Sequence, residues 1–226
     1  MQFNKNKQLQ AKTITPNKAL LLKALKDIFN ARAMADIYDE NRTITSYVHS
    51  TSRGHESVQL AMAYNLKSTD WVAPYYRDES LLLGIGMQPY ELMLQLLAKK
   101  DDPFSGGRTY YSHPSLLDSD KPNMAHQSSA TGMQAIPTTG IAHGLQYLKN
   151  NKLIDPESDD NIVVCSIGDG SMTEGEVSEA LQMAVLHQLP IIYFVQDNDW
   201  GISASGDEMR AMDAYEFGAG FKGLKR

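Results

Sequence analysis

Two apolar runs, Ile162–Ile167 (Ile-Val-Val-Cys-Ser-Ile) and Pro190–Val195 (Pro-Ile-Ile-Tyr-Phe-Val), constrain this chain more than any other feature. Each is short, bounded by polar or turn residues, and rich in β-branched side chains, which favours strand over helix. Neither alternates polar with apolar. A strand that is apolar at nearly every position has no face to give to water, so it belongs in a sheet covered on both sides. Between the runs, Glu174–Gln188 reads as a helix. Before them, Met133–Lys149 reads as another, and its small residues Ala135, Gly140, Ala142 and Gly144 would permit close packing. Helix, strand, helix, strand with such strands predicts the α/β class: a parallel sheet with helices on both faces.

Upstream, a helix is predicted from Asn17 to Asp39, with Asn17 as cap and Leu21, Leu25, Ile28 and Phe29 at helical spacing. A second helix is expected over His55–Leu66, a short strand over Trp71–Pro74, and helical segments over Asp78–Leu83 and Pro89–Lys99. The stretch Asp101–Thr131 has no clear period and is rich in Gly, Ser, Pro, Asp and Tyr. Structureless stretches of that length inside a domain are usually functional or disordered, and this one is expected to need a cofactor or partner to order it. Asp213–Phe221 reads as a last helix. An α/β unit that ends on a helix normally feeds another strand, so the domain is expected to be incomplete at its C-terminal end. The division expected is residues 1–50 as an N-terminal tail and helical arm, with Met1–Lys12 frayed, and residues 51–226 as the binding domain.

Composition narrows the partners. The formal net charge of −6 argues against nucleic acid, which needs a basic face. No apolar run approaches the ~20 residues that cross a bilayer, and the polar start of the chain lacks the apolar core of a secretory signal. The single cysteine, Cys165, excludes an internal disulfide and fits a reducing, cytoplasmic setting. Within its apolar run it reads as a small buried hydrophobe.

The first apolar run leads into Gly168-Asp169-Gly170-Ser171-Met172-Thr173, and a helix follows. Ligands of open α/β sheets bind at the carboxyl ends of strands, and a helix N-terminus there suits phosphate. Asp169 would put a carboxylate where a phosphate would lie, and the two anions need a bridging cation such as Mg²⁺ or Ca²⁺. The third glycine of a dinucleotide fingerprint is missing, since Thr173 stands there, and a P-loop ending is absent. Alone, Gly-Asp-Gly is explained as well by turn chemistry. The second run ends in Gln196-Asp197-Asn198-Asp199-Trp200-Gly201. It offers an amide oxygen from Asn198 and a carbonyl from Trp200 for the same ion, against the alternative of an Asn/Asp/Gly turn.

Gly168-Asp169-Gly170 with Asn198 placed 29 positions after the aspartate resembles the thiamine-diphosphate motif. The wording around it, Gly-Asp-Gly-Ser-Met-Thr-Glu-Gly-Glu and Asn198-Asp199-Trp200-Gly201-Ile202-Ser203, resembles the α subunit, or α half of a fused chain, of the 2-oxo-acid dehydrogenase first component. It is nearest in wording to the branched-chain (2-oxoisovalerate) branch. The resemblance runs from about Arg53 to Arg226 and implies the thiamine-diphosphate-binding fold. It implies Asp169, Asn198 and the Trp200 carbonyl as metal ligands, with Mg²⁺ as the ion. It implies Gly168, Gly170, Ser171 and Ile202 near the cofactor, Tyr76 and Arg77 on the diphosphate, and Ser128, Ser129 and Met133 beside the aminopyrimidine. The fork of Arg77 suits phosphate; a surface ion pair with Asp78 or Glu79 is the structural alternative. His113 matches a histidine at the active-site entrance, and His126 precedes the cofactor segment. His55 reads as a cap or packing residue, His143 and His187 as structural, and His49 as uninformative.

Two departures stand out. Gln196 takes a position where branched-chain relatives usually aim an arginine at the diphosphate, and the family's histidine loop would fall beyond residue 226. The implied chemistry is decarboxylation of a 2-oxo acid and transfer of the acyl unit to a lipoyl-bearing transacylase. A glutamate on the aminopyrimidine would come from a β subunit or fused β-like half, because Glu174 and Glu176 lie too near the metal end. That implies a homodimer or heterotetramer and an isolated chain without turnover. Pyruvate dehydrogenase, a transketolase-like enzyme, a non-catalytic cofactor-binding fragment and a plain Mg²⁺-dependent phosphate binder stand as alternatives.

Overall fold

The structure is a computed structural model, and it describes residues 17–47, 50–117, 120–154 and 160–226. The expected tail over Met1–Lys12 and His49 lie outside the described residues. Three strands form a parallel sheet in the order β1-β2-β3: β1 Trp71–Ala73, β2 Val163–Gly168 and β3 Ile191–Gln196. The central strand β2 is buried along Val163–Ile167. Its side chains divide by parity, as a pleat requires. Val164 joins a core with Val72, Leu81, Leu82, Met87, Leu92 and Tyr111 on one face. Cys165 and Ile167 pack with Ala135, Val177, Ala180 and Leu181 on the other.

Helices cover both faces. On the first lie α1 (Lys18–Glu40), α2 (Glu56–Ala63), α3 (Glu79–Gly84) and α4 (Pro89–Leu96), and on the second α5 (Ala135–Asn150) and α6 (Gly175–His187). The predicted architecture is therefore present, with helices up to a turn shorter than the periodicity suggested. The last one is shorter still: α8 spans only Ala214–Gly218. Cys165 is fully buried, and burial pushes its thiol up to about 12, so it is an inert packing group. Among the described residues no helix is long and apolar enough to cross a membrane.

Three expectations need correction. β3 is an edge strand rather than a buried one: Ile192 is 41% exposed. The apolar period of α1 points outward, leaving Leu21, Leu25 and Phe29 exposed, while Asp27, Ala31, Met34, Ala35 and Tyr38 face the core. That inner seam is built from small residues and hydrogen-bonding groups. The Tyr38 and Tyr111 hydroxyls bond at 2.7 Å, and Asp27 accepts from Tyr64 Oη at 2.9 Å. Hydrophobicity alone therefore picked the wrong face. In α5, a Cβ added at Gly140 or Gly144 would meet open space, so only Ala135 and Ala142 serve as close-packing residues.

The stretch Asp101–Thr131 has anchors of its own over its described residues. Asp102 accepts from the N–H groups of Phe104 and Gly107 and from Ser105 Oγ. Gln95 donates to Thr109 Oγ1 and accepts from Ser112 N–H. Tyr111, Ser112 and Met124 are fully buried. Polar anchors replace periodicity there, which is why no pattern was visible.

A cation-seeking cluster at the strand ends

The register Gly168↔Gln196 sets the carboxyl ends of β2 and β3 level. Beyond them the two turns touch: a Cβ at Gly170 would lie 3.7 Å from Gly201 Cα. Asp169–Thr173 winds as a 3₁₀ turn before α6, so the helix starts one turn later than the motif. Asp169 is 2% exposed, and its Oδ2 accepts no hydrogen bond among the described residues. Burial and the neighbouring Asp197 carboxylate raise the Asp169 carboxyl above its ordinary range. Burial acts in the same direction on Asp197, but hydrogen bonds from Arg210 and the Asp199 N–H outweigh it and hold that group low.

The counter-charge in the structure is Arg210, one residue beyond α7 (Gly206–Met209). Its guanidinium lies 3.1 Å from Asp169 Oδ2, 3.0 Å from Asp197 Oδ1 and 2.8 Å from Asp199 Oδ1. Three carboxylates around one guanidinium leave the cluster negative. Among the described residues no group of three or more His, Cys, Asp or Glu is arranged to hold a metal by itself. A hard cation here would have to complete its shell with amide, carbonyl and ligand oxygens. Asp169 Oδ2, buried and accepting no hydrogen bond, fits that demand if the cation takes the place that the Arg210 guanidinium holds at 3.1 Å.

Asn198 Oδ1 accepts from Trp200 N–H at 3.0 Å, so the Asx turn weighed from sequence is present, and the amide oxygen keeps a second lone pair beside the cluster. Trp200 and Gly201 form β4, which pairs with β5 (Ala204–Ser205) in a small hairpin. Its tip holds Ile202 fully exposed at φ +58, a left-handed conformation that is costly for a β-branched residue. Ile202→Gly is expected to raise stability by about 1 kcal/mol in urea titration. An unchanged midpoint would show that the hairpin stores no strain.

Tyr76 and Arg77 follow β1 and are half-buried. Arg77 donates to the Thr51 carbonyl at 3.1 Å and lies over the Tyr76 ring. The described ion pairs include none from Arg77 to Asp78 or Glu79, because those carboxylates are engaged elsewhere. Asp78 accepts from Tyr75 N–H at 3.0 Å and from Gln196 Nε2 at 2.5 Å. Gln196 Nε2 also donates to Ser166 Oγ, and Gln196 Oε1 accepts from Gln59 Nε2 at 2.6 Å. Gln196 is thus a buried connector between the sheet and α2 and does not point at a ligand. Burial raises Asp78 to about 6 despite these donors.

His55, read from sequence as a cap, makes no side-chain cap bond. Burial first, then the Arg77 charge, lowers its pKa, while the charges of Glu56, Asp169 and Asp197 oppose them. Sequence reasoning missed His55, Asp197 and Arg210 as members of this cluster. The only sequence signal was the Gly54-His55-Glu56 step at a helix start. His113 is 2% exposed, with Nδ1 against the Tyr111 carbonyl at 2.8 Å and its ring edge-on to Tyr110. It is not an open entrance residue. Its neighbour His126 is exposed. Ser128 and Ser129 are exposed and Met133 is 40% exposed. Gly132, at φ +79, brings that segment against Glu174, beside the Asp169 turn. His143 and His187 stack on one another at the surface.

The 2-oxoisovalerate dehydrogenase subunit alpha of Bacillus subtilis (strain 168) is 31% identical over 162 residues, 71% of this chain and 46% of that protein. The 3-methyl-2-oxobutanoate dehydrogenase subunit alpha of Mycobacterium tuberculosis (strain CDC 1551 / Oshkosh) is 29% identical over 69% of this chain and 36% of its own length. The pyruvate dehydrogenase E1 component subunit alpha of Rhizobium meliloti (strain 1021) is 30% identical over 74% of this chain and 45% of its own length. The chain thus spans under half the length of these curated relatives. The model of the dehydrogenase E1 component family matches residues 25–224, which takes in the sheet, the Arg77 turn and the carboxylate cluster, and the chain belongs to that family.

Proposed function

We propose that this chain supplies the metal and diphosphate half of a thiamine-diphosphate site in a 2-oxo-acid dehydrogenase. The observation that carries the reading is the buried Asp169 Oδ2 at the end of β2, which accepts no hydrogen bond and faces the shared Arg210 guanidinium at 3.1 Å, beside the Asn198–Trp200 turn at the end of β3. Asp169, Asn198 and the Trp200 carbonyl would hold Mg²⁺. Tyr76, Arg77, Gly168, Gly170 and Ser171 would face the diphosphate, and Ser128, Ser129, Met133 and Ile202 the rest of the cofactor. When bound, thiamine diphosphate supplies the carbanion that attacks a 2-oxo carbon and the ring that takes up electrons as carbon dioxide leaves. The work of this chain is to fix charge. Asp169 would neutralise the cation and Arg77 the anion, while Gly168 lets the Tyr75 ring lie close and Gly170 lets the Gly201 turn do so.

The substrate class we assign is a branched-chain 2-oxo acid, supported by relatives named for 2-oxoisovalerate and 3-methyl-2-oxobutanoate. Pyruvate is the second reading, supported by the Rhizobium relative. The partners assigned are a β subunit or fused β-like half that completes the site in a homodimer or heterotetramer, and a lipoyl-bearing transacylase. The setting assigned is cytoplasmic, and the chain alone is expected to give no turnover. His113 and His126 are kept as the residues closest to the reacting end, on the resemblance alone. Calorimetric titration of thiamine diphosphate into the full-length protein in its native assembly, with and without Mg²⁺, tests the core of the reading. Binding that requires the metal supports it, and a protein that binds Mg-ADP and ignores thiamine diphosphate sinks it.

A further inference from the structure

Among the described residues only three buried side-chain polar atoms lack a hydrogen-bond partner: Tyr75 Oη, Ser112 Oγ and Asp169 Oδ2. Two of the three sit on adjoining strand ends. Tyr75 follows β1, Asp169 follows β2, and the Tyr75 ring lies across Gly168, where an added Cβ would stand 3.4 Å from Cε2 and 3.7 Å from Oη. Tyr75 is 3% exposed. Its position is well fixed: its N–H is bonded to Asp78 Oδ2 at 3.0 Å, and its ring packs edge-on against Tyr76 at 4.8 Å. The neighbouring Arg77 guanidinium can only donate, so the phenol proton has no acceptor, which is costly in a buried group, and Asp169 Oδ2, in the residue after Gly168, also accepts no hydrogen bond.

The two orphans are complementary to a metal–phosphate pair. The carboxylate oxygen, held at 3.1 Å only by a guanidinium that it shares with Asp197 and Asp199, can serve a metal cation, and the phenol has a proton to give. Burial, together with the charge of Asp78, raises the phenol pKa, so the group stays a donor. Resting on the cofactor reading above, we propose that Tyr75 is an anion-binding residue whose hydroxyl donates to an oxygen of the bound diphosphate, across Gly168 from the metal at Asp169. It supplies a donor from the end of β1, where Gln196, turned inward to Asp78 and Ser166, supplies none.

The test is Tyr75→Phe, which deletes the hydroxyl and keeps the ring. Wild type and variant, each full-length in the native assembly, are titrated with Mg²⁺–thiamine diphosphate, Mg²⁺–pyrophosphate and Mg²⁺–ADP, and melted without ligand. A hydrogen bond to a charged oxygen corresponds to binding weakened about 10- to 100-fold. Loss of that size for thiamine diphosphate and pyrophosphate, with an unliganded melting temperature equal to or above wild type, is the expected result. Affinities within twofold of wild type overturn the proposal, as does a lowered melting temperature, which would mean that the hydroxyl has a protein partner. If wild type ignores thiamine diphosphate but loses Mg²⁺–pyrophosphate on substitution, the cofactor reading fails and the Tyr75 anion contact stands. If wild type binds no diphosphate, both fail.

Discussion

Asp169→Ala is expected to abolish metal-dependent binding of thiamine diphosphate, with affinity in the presence of Mg²⁺ falling at least about 100-fold. Loss of groups that merely support a metal ligand typically costs 10- to 100-fold, and Asp169 would be a direct ligand, its buried Oδ2 accepting no hydrogen bond among the described residues and facing only the Arg210 guanidinium. The fold should survive. Arg210 keeps Asp197 and Asp199 as partners, and the crowding that raises the Asp169 carboxyl disappears with it. The check is calorimetric titration beside a thermal melt. Undiminished binding would remove Asp169 from the site, whereas an unfolded variant would show that the Arg210 ion pair is structural first.

Glu79→Gln is expected to change stability against pH more than any other single substitution in this chain. Glu79 is fully buried between Ser52 N–H at 2.8 Å and Tyr111 Oη at 3.0 Å. Burial dominates those donors and raises the group to about 8 from 4.5. A carboxyl whose folded pKa is raised binds more protons in the native than in the unfolded state, so stability must fall as pH rises between those values. Above pH 8 the buried charge costs on the order of 4 kcal/mol relative to the protonated form. Glutamine keeps the shape. Its oxygen can accept from Ser52, and its amide can donate to Tyr111, whose hydroxyl already meets Tyr38. Urea titrations at pH 5, 6.5 and 8 should show wild-type stability declining throughout, and the variant declining less, mainly below pH 6.5 where Asp78 still loses its proton, and nearly level above it. Parallel profiles would mean that Glu79 is ionised throughout.

What the sequence made legible follows from which signals are local. The strands were visible because a fully apolar run of six residues has few alternatives, and their parallel pairing followed from the helix between them. The Asp169–Asn198 spacing was visible because strand and helix lengths nearly fix it. The inward face of α1 was not, because Ala31, Ala35 and Tyr38 bury themselves through size and hydrogen bonding while the leucines point to solvent. Arg210 and His55 were invisible as site members for another reason. They enter from elements distant in sequence, and no spacing rule connects Gly54-His55 with Asp169. Gln196 was legible as a departure from the family wording but not as a connector, since its partners Gln59, Asp78 and Ser166 come from three separate segments.

That connector also bears on how the sheet assembles. β2 and β3 are almost uniformly greasy, so hydrophobicity says little about which residue should sit opposite which. A slip of one position would turn Gln196 toward the other face. Asp197 would then arrive beside Asp78 and Ser166, bringing a second carboxylate into an interior already holding one. Misalignment is penalised electrostatically at the terminus of the strand even though its middle would tolerate it. Correct register is therefore favoured at the end of the strand that carries the carboxylate cluster, so strand alignment and cluster geometry are set together.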